Sequence, residues 1–177
     1  MREYKTQTKE IITTTTFSTP IGGMFAAASK KGLVLLYFFT PYDIEAHIDK
    51  LKKTLDADVI PGNSEIFDVL KTQLNEYFNK KRTTFEIPLQ LVGTPFQIKV
   101  WKELLNIPYG KTISYKEQAI KIENEKAFRA VANANGQNMI SIIVPCHRVI
   151  ASSGKLSGYT GGVEKKEFLL KLENNDK

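Results

Sequence analysis

The sequence predicts an α+β protein. A small N-terminal part pairs an antiparallel sheet with helices, and a mainly helical C-terminal part contains a helix-turn-helix. Three observations carry this. A β-branched, Thr-rich stretch from Ile11 to Phe17 precedes two more strand-like runs, Met24 to Ser29 and Leu33 to Phe39. Later stretches repeat apolar residues at helical spacing. Two N-terminal capping patterns, Thr94-Pro95-Phe96-Gln97 and Ser114-Tyr115-Lys116-Glu117, then start helices in the second half. The change in pattern divides the chain into residues 1–91 and 92–177.

The first strand should end at Thr19-Pro20-Ile21-Gly22-Gly23, and Ser29-Lys30-Lys31-Gly32 reads as a hairpin turn. Asp43 can cap a helix with Ile44, Ile48, Leu51 and Leu55 on one face, where His47 has no chemical partner. Asp56 to Gly62 reads as a connector. A second helix from Ser64 to Asn79 carries a broad stripe of Ile66, Phe67, Leu70, Leu74, Tyr77 and Phe78, a core signal rather than a site. Lys80-Lys81-Arg82 suits a helix C-terminus, and Phe85, Ile87 and Leu89 alternate as a final strand. Nothing in this half announces chemistry.

In the second half the helix begun at Thr94 should bury Phe96, Val100, Trp101, Leu104 and Leu105, and Ile107-Pro108-Tyr109-Gly110 ends it. A short helix from Ser114 to about Ile122 precedes another from Glu125 to Asn135, with Gly136 as its stop. Two short helices across a tight turn describe a helix-turn-helix. The second helix carries Ala127, Ala130, Ala132 and Ala134 around Arg129. Small side chains allow close approach to a groove, and equally to another helix, so both readings stand. Beyond them Gly154, Gly158, Gly161 and Gly162 surround Tyr159 and Thr160, and a last helix from Glu164 to Glu173 should bury Phe168, Leu169 and Leu172. A carboxylate at that helix end opposes the dipole, so Glu173 calls for a partner.

Bulk properties bound the function. The chain has 177 residues, 42% hydrophobic and 25% charged, enough for a sizeable core in an ordinary globular protein. One cysteine excludes an internal disulfide framework or multi-cysteine zinc site, and two distant histidines offer no metal-ligand spacing. The opening residues lack the apolar core of a signal peptide, and no run is long enough to span a membrane, so a reducing cytoplasmic compartment is expected. The net charge of +6 falls mostly on residues 92–177, with 13 Lys+Arg against 8 Asp+Glu. That asymmetry points modestly to a polyanion.

Ile140-Ser141-Ile142-Ile143-Val144-Pro145-Cys146-His147-Arg148-Val149-Ile150 contains the lone cysteine in a run of strand-like content. Pro145 keeps Val144 extended and withholds a donor. A neighbouring base or cation lowers a thiol's pKa, and His147 and Arg148 are one of each. The competing reading is a buried, inert thiol. On a strand, moreover, His147 would face away from Cys146, so contact would need a water or a bend.

Taken together, GTPFQIKVW, IPYGKTISY, AFRAVANANGQN, VPCHRVI, GYTGG and KKEFLLKLE, in order from Gly93 to Glu173, resemble the O6-alkylguanine-DNA alkyltransferases. The resemblance implies a single-turnover DNA repair protein. It would carry a scaffold over 1–91 and a DNA-binding, active-site domain over 92–177. It would move an alkyl group irreversibly from guanine O6, and from O4-alkylthymine, to Cys146 after minor-groove binding and base flipping. It implies that His147 acts as base through a water and Glu173 orients its imidazole. Arg129 replaces the flipped nucleotide from a helix where Ala127 and Ala130 approach the groove, and Tyr115 rotates the phosphate and donates to guanine N3. Carbonyls of Cys146 and Val149 read the exocyclic amine. Tyr159 packs on the base, the Thr160 amide meets O6, Ser141 lines the pocket, and Asn138 ties the recognition helix to the cysteine run. The implied partner is double-stranded DNA containing O6-alkylguanine, met by a monomer, with no membrane, metal or cofactor. Met139 stands where the family usually has proline, and Glu123-Asn124-Glu125-Lys126 where many members carry Gly and Pro. Readings from other classes are a non-catalytic alkyl-base-binding protein, which would lack the cysteine, and a helix-turn-helix regulator, which would not need Cys-His behind proline.

Overall fold

The structure, a computed structural model, describes residues 9–39, 41–156, 158–159 and 161–174. Strands β1 (Glu10–Thr19), β2 (Gly22–Ala28) and β3 (Leu33–Phe38) form the expected antiparallel meander. The sheet is nevertheless mixed. The expected connector contains β4 (Ala57–Pro61), which pairs parallel to β1 and gives the order β3-β2-β1-β4. The crossover is α1 (Pro41–Leu55), which begins two residues before Asp43 and so places that carboxylate in its first turn. His47, read as partnerless, lies 4.5 Å from the Tyr37 ring, centroid to centroid. Helix α2 (Glu65–Phe78) starts as expected, with Ser64 accepting from Ile66 N–H.

Phe85 to Leu89 is not a strand. One bridge joins Leu89 to Leu33, where Leu33 N–H donates to Pro88 O and Gln90 N–H to Leu33 O. Pro88 has no N–H with which to extend the ladder. Further along the same strand, Leu36 N–H donates to Met139 O and Ser141 N–H to Leu36 O. The edge of β3 is thus the rail on which the segment before the cysteine is mounted.

Helix α3 (Pro95–Leu104) carries both bonds of its capping box, Gln97 N–H to Thr94 Oγ1 at 3.1 Å and Thr94 N–H to Gln97 Oε1 at 3.0 Å. It buries Val100, Trp101 and Leu104, but Leu105 is exposed, being past the inward stripe. β5 (Ile113–Ser114) leads into α4 (Tyr115–Lys121). There Ser114 accepts from Glu117 N–H, while Glu117 takes the Ser114 hydroxyl, leaving only half of the expected box. A single 3₁₀ turn over Glu125–Ala127 precedes α5 (Phe128–Gly136). Gly136 closes the helix in place of the left-handed stop expected of it, and Gln137 caps the end. After β6 (Val149–Ile150), parallel to β5, α6 (Val163–Glu173) is the last described element. It buries Lys166, Leu169, Leu172 and Glu173 and exposes Phe168, contrary to expectation. No described helix is long and apolar enough to cross a membrane.

The helix-turn-helix of α4 and α5 is locked by a buried amide pair. Gln118 Nε2 donates to Asn135 Oδ1 at 3.0 Å, and Asn135 Nδ2 returns a bond to Gln118 Oε1 at 2.6 Å. Trp101 Nε1 adds a bond to Ala134 O at 2.9 Å. Gln118→Leu, which strands the Asn135 amide, is expected to lose about 2 kcal/mol in urea unfolding, because a buried unpaired polar group bears its full desolvation cost. Gln118→Leu with Asn135→Leu should lose less than the two single changes added together, and strict additivity would refute the coupling.

Candidate active site

The cysteine run is a set of turns instead of a strand. Ile142, a buried β-branched residue, holds φ +71°, and Ile143 N–H donates to Ser141 O at 2.8 Å. This is a strained γ-turn. Pro145 forms a second, relaxed one at φ −84°, ψ 63°, with Cys146 N–H on Val144 O at 2.9 Å. Asn138 holds the loop shut. Its Oδ1 accepts from Ile140 N–H at 3.0 Å, while Nδ2 is directed at Val144 O at 2.8 Å, Ile140 O at 3.3 Å and Cys146 Sγ at 3.3 Å. Strain held by surrounding bonds is typical of functional loops.

Cys146, His147 and Arg148 form one 3₁₀ turn, so they point in successive directions around it and the strand objection to a Cys–His relationship falls away. Glu173 lies beneath. Its Oε2 accepts from His147 Nε2 at 2.6 Å, Tyr77 OH at 2.6 Å and Arg148 Nη2 at 3.1 Å, while Oε1 takes Arg148 Nε at 2.7 Å. Arg148 Nη1 also reaches Ile107 O at 2.7 Å. Burial pushes the Glu173 carboxyl upward, but hydrogen bonds from His147 and Arg148 and the Arg148 charge outweigh it and bring the pKa to about 2. Burial and the Glu173 carboxylate hold the Tyr77 phenol protonated.

This carboxylate fixes the tautomer. Burial lowers the His147 pKa, more than Glu173 raises it, so the ring is neutral. With its proton on Nε2 facing Glu173, the lone pair is on Nδ1, which is buried and has no hydrogen-bond partner among the described residues. Burial likewise raises the Cys146 thiol, with Asn138 and Lys166 pulling the other way. A neutral base and a neutral thiol are thus consecutive residues of one buried turn.

The other predicted pocket residues gather there. Tyr159 is 7% exposed, edge-on to Phe38, and burial raises its phenol far above the usual range. Ser141 is buried beside it; the two hydroxyls lack hydrogen-bond geometry, although Ser141 is near enough to temper the Tyr159 shift. Tyr115 opens α4 half-buried, its phenol raised by burial and then by Cys146. The Val149 carbonyl accepts a bond from Lys166 Nζ at 2.7 Å. Thr160 lies outside the described residues. No described cluster of three His, Cys, Asp or Glu residues has the arrangement to hold a metal.

Arg129 stands apart from this centre. It is exposed in the first turn of α5, its guanidinium carbon 5.9 Å from the Phe128 ring centroid, with Ala130 exposed and Ala127 half-buried beside it. A cation at a helix N-terminus works against the dipole, so its placement needs an external reason. Beside it a groove of about 780 Å³ runs along Tyr115, Lys116, Glu125, Lys126, Phe128 and Ala151–Ser152.

Two family profiles match the chain: the 6-O-methylguanine DNA methyltransferase ribonuclease-like domain over residues 12–91, and the DNA binding domain of the same enzyme over 95–175. A methylated-DNA–protein-cysteine methyltransferase of Methanosarcina barkeri is 46% identical over 157 residues, 89% of this chain and 94% of that protein. The chain belongs to the O6-methylguanine-DNA methyltransferase family. The relative of the same name from Mycobacterium bovis is 57% identical over 103 residues, 58% of this chain and 62% of that one. Among solved structures, Mycobacterium tuberculosis OGT in complex with DNA matches at 42% identity and a TM-score of 0.76, covering 93% of this chain and 92% of that one. The family reaction is a DNA repair: an alkyl group passes from the base to a cysteine of the protein itself.

Tyr77 and Lys166 join the site without a role legible in the sequence, and Arg148 joins it in another role than its sequence suggests. Tyr77 read as core stripe, and only its hydroxyl on Glu173 distinguishes it. Arg148 was read as a cation for the thiol, yet its guanidinium is spent on Glu173. Lys166 carries no local signal, although its place three and seven residues before Leu169 and Glu173 puts it on the buried stripe of α6.

Proposed function

We propose that this protein repairs O6-alkylguanine in duplex DNA by one irreversible transfer to Cys146. The observation that carries the reading is the buried chain Glu173–His147 beside Cys146, with the imidazole lone pair left on Nδ1. His147 draws the thiol proton through a water. The sulfur pair then forms the S–C bond, and the C–O6 bond breaks with its electrons on guanine. Tyr115 protonates guanine N3 and is itself reprotonated, so the net transfer is of the thiol proton to the base. A thioether has no hydrolytic return, so each molecule acts once.

Arg129 takes the place of the flipped nucleotide, with Ala127 and Ala130 giving α5 close access to the minor groove. Carbonyls of Cys146 and Val149, with Tyr159, Ser141 and the Thr160 amide, receive the base. Residues 1–91 serve as scaffold and 92–177 as the reading and reacting domain, working as a monomer in a reducing compartment that keeps the thiol free. O4-alkylthymine is the second substrate.

Intact-protein and peptide mass spectrometry after incubation with duplex O6-methylguanine DNA tests this. The expected result is one methyl per protein on the Cys146 peptide, absent from Cys146→Ser; DNA binding without a mass change sinks the transfer reading. Arg129→Ala is expected to slow transfer from duplex DNA by about ten- to a hundredfold, since flipping costs a few kcal/mol. Transfer from the free methylated base should be unchanged, and equal losses on both substrates would remove Arg129 from the flipping step.

A further inference from the structure

Strand β3 of the N-terminal part serves the pocket at two places. At Leu36 its edge holds Met139 and Ser141, ahead of the cysteine turn. Two residues on, and on the same face of the strand, Phe38 meets the loop before α6. Phe38 is buried, and its ring lies 6.2 Å from that of Tyr159, centroid to centroid, at an interplanar angle of 66°, an edge-to-face pair. Lys165 Nζ, in the first turn of α6, lies 5.1 Å from the centroid of the same ring. Gly161 presses on it as well: a Cβ there would come to 2.6 Å from Phe38 Cδ2 and 2.9 Å from Cε2. Gly161 has no positive φ to call for glycine, so the ring accounts for it.

The Tyr159 hydroxyl is buried and has no hydrogen-bond partner among the described residues. No bond of its own therefore orients the ring, and its attitude is set by packing. We propose that Phe38 is a positioning residue for the transfer: a ring from the N-terminal part that backs Tyr159 and Gly161 and so fixes how the Tyr159 ring meets the incoming base. This rests on Tyr159 packing on the base, as the repair reading has it. Leu36 and Phe38 belong to one strand, so β3 sets both the segment that leads to the acceptor and the loop that packs on the base. Residues 1–91 then do more than support the reacting domain, because they hold two walls of its pocket in register. A small misplacement of such a wall slows the reaction while leaving DNA binding, which falls to α5, intact.

Single-turnover transfer kinetics over a range of duplex concentrations test this. Phe38→Ala should lower the saturating rate about ten- to a hundredfold, the scale of a misplaced reacting partner, with the half-saturating DNA concentration unchanged. Unlike Arg129→Ala, it should lose the same factor on the free methylated base. A saturating rate equal to wild type, or a loss of DNA affinity in step with the rate, overturns the proposal in favour of packing alone. If Phe38→Ala does not fold, a size exchange decides. Gly161→Ala thrusts a methyl into the Phe38 ring and should slow transfer. Gly161→Ala with Phe38→Leu, which frees that space, should lose less than the product of the two single losses, and losses that simply multiply refute the contact. No methyl on wild-type Cys146 would instead condemn the repair reading. The hold on the loop is then read by hydrogen exchange at Gly162, whose N–H donates to Tyr159 O at 2.9 Å. It should quicken in Phe38→Leu, and an unchanged rate there refutes the hold itself.

Discussion

Glu173→Ala is expected to destabilise the protein by about 3–5 kcal/mol, the scale for removing one partner of a buried ion pair. The carboxylate accepts from His147, Tyr77 and both Arg148 nitrogens that face it, so truncation leaves a buried guanidinium and a phenol without their acceptor. Tyr77 is on α2 and Arg148 in the cysteine turn, so the loss also loosens the N-terminal part from the active site. Urea unfolding at neutral pH measures it. Glu173→Leu with Arg148→Met should recover part of the loss, because the orphaned charge is then gone too. The pH dependence follows by sign. The folded pKa of about 2 lies below the ordinary carboxylate value, so the stabilisation is fully present above about pH 4.3. It is lost as pH falls from there through the folded pKa. His147 adds an earlier limb, since it is held neutral when folded and gains a proton when unfolded, and stability declines once pH drops below about 6.5. Glu173→Gln should flatten the lower limb while leaving the upper one. A wild type whose stability is level from pH 5 to pH 2 would show that the carboxylate is not held as its contacts require.

What was legible in the sequence was local. Thr94 and Gln97 cap a helix by bonds three residues apart, and both bonds form. What was illegible depends on residues far apart in sequence. Asp56 to Gly62 has no strand pattern of its own and becomes β4 because β1 offers it an edge. Phe85 to Leu89 has the alternation but is cut short by Pro88. The cysteine run has strand composition because it is buried, and β-branched residues suit any buried segment. Its turns are imposed by Asn138 and by the β3 edge, neither visible in the run itself. The same holds for the site: Cys146 and His147 are adjacent in sequence, whereas Tyr77 joins Glu173 across 96 residues. Glu173 was an exception, because its misfit with the helix dipole implied a partner before that partner was located.

His147→Phe is expected to slow methyl transfer from duplex DNA at pH 7 by about a hundredfold to ten-thousandfold, the range of a lost general base. The phenyl ring keeps a planar aromatic group of slightly larger size in the turn, and Glu173 keeps Tyr77 and Arg148, so folding and DNA affinity should change much less. The two proteins should also differ in pH profile. In the wild type a neutral imidazole removes the thiol proton, and burial lowers the His147 pKa, so the rate holds as pH falls through 7 and declines only below the ordinary imidazole value. In His147→Phe the thiol ionises unaided, and burial has raised its pKa. Its rate should therefore climb about tenfold per pH unit through the neutral range, and approach wild type only in alkali. Single-turnover quench kinetics from pH 6 to 10 supply both curves. Parallel curves separated by a constant factor would mean that His147 packs the turn without moving a proton, and the base role would then pass from it.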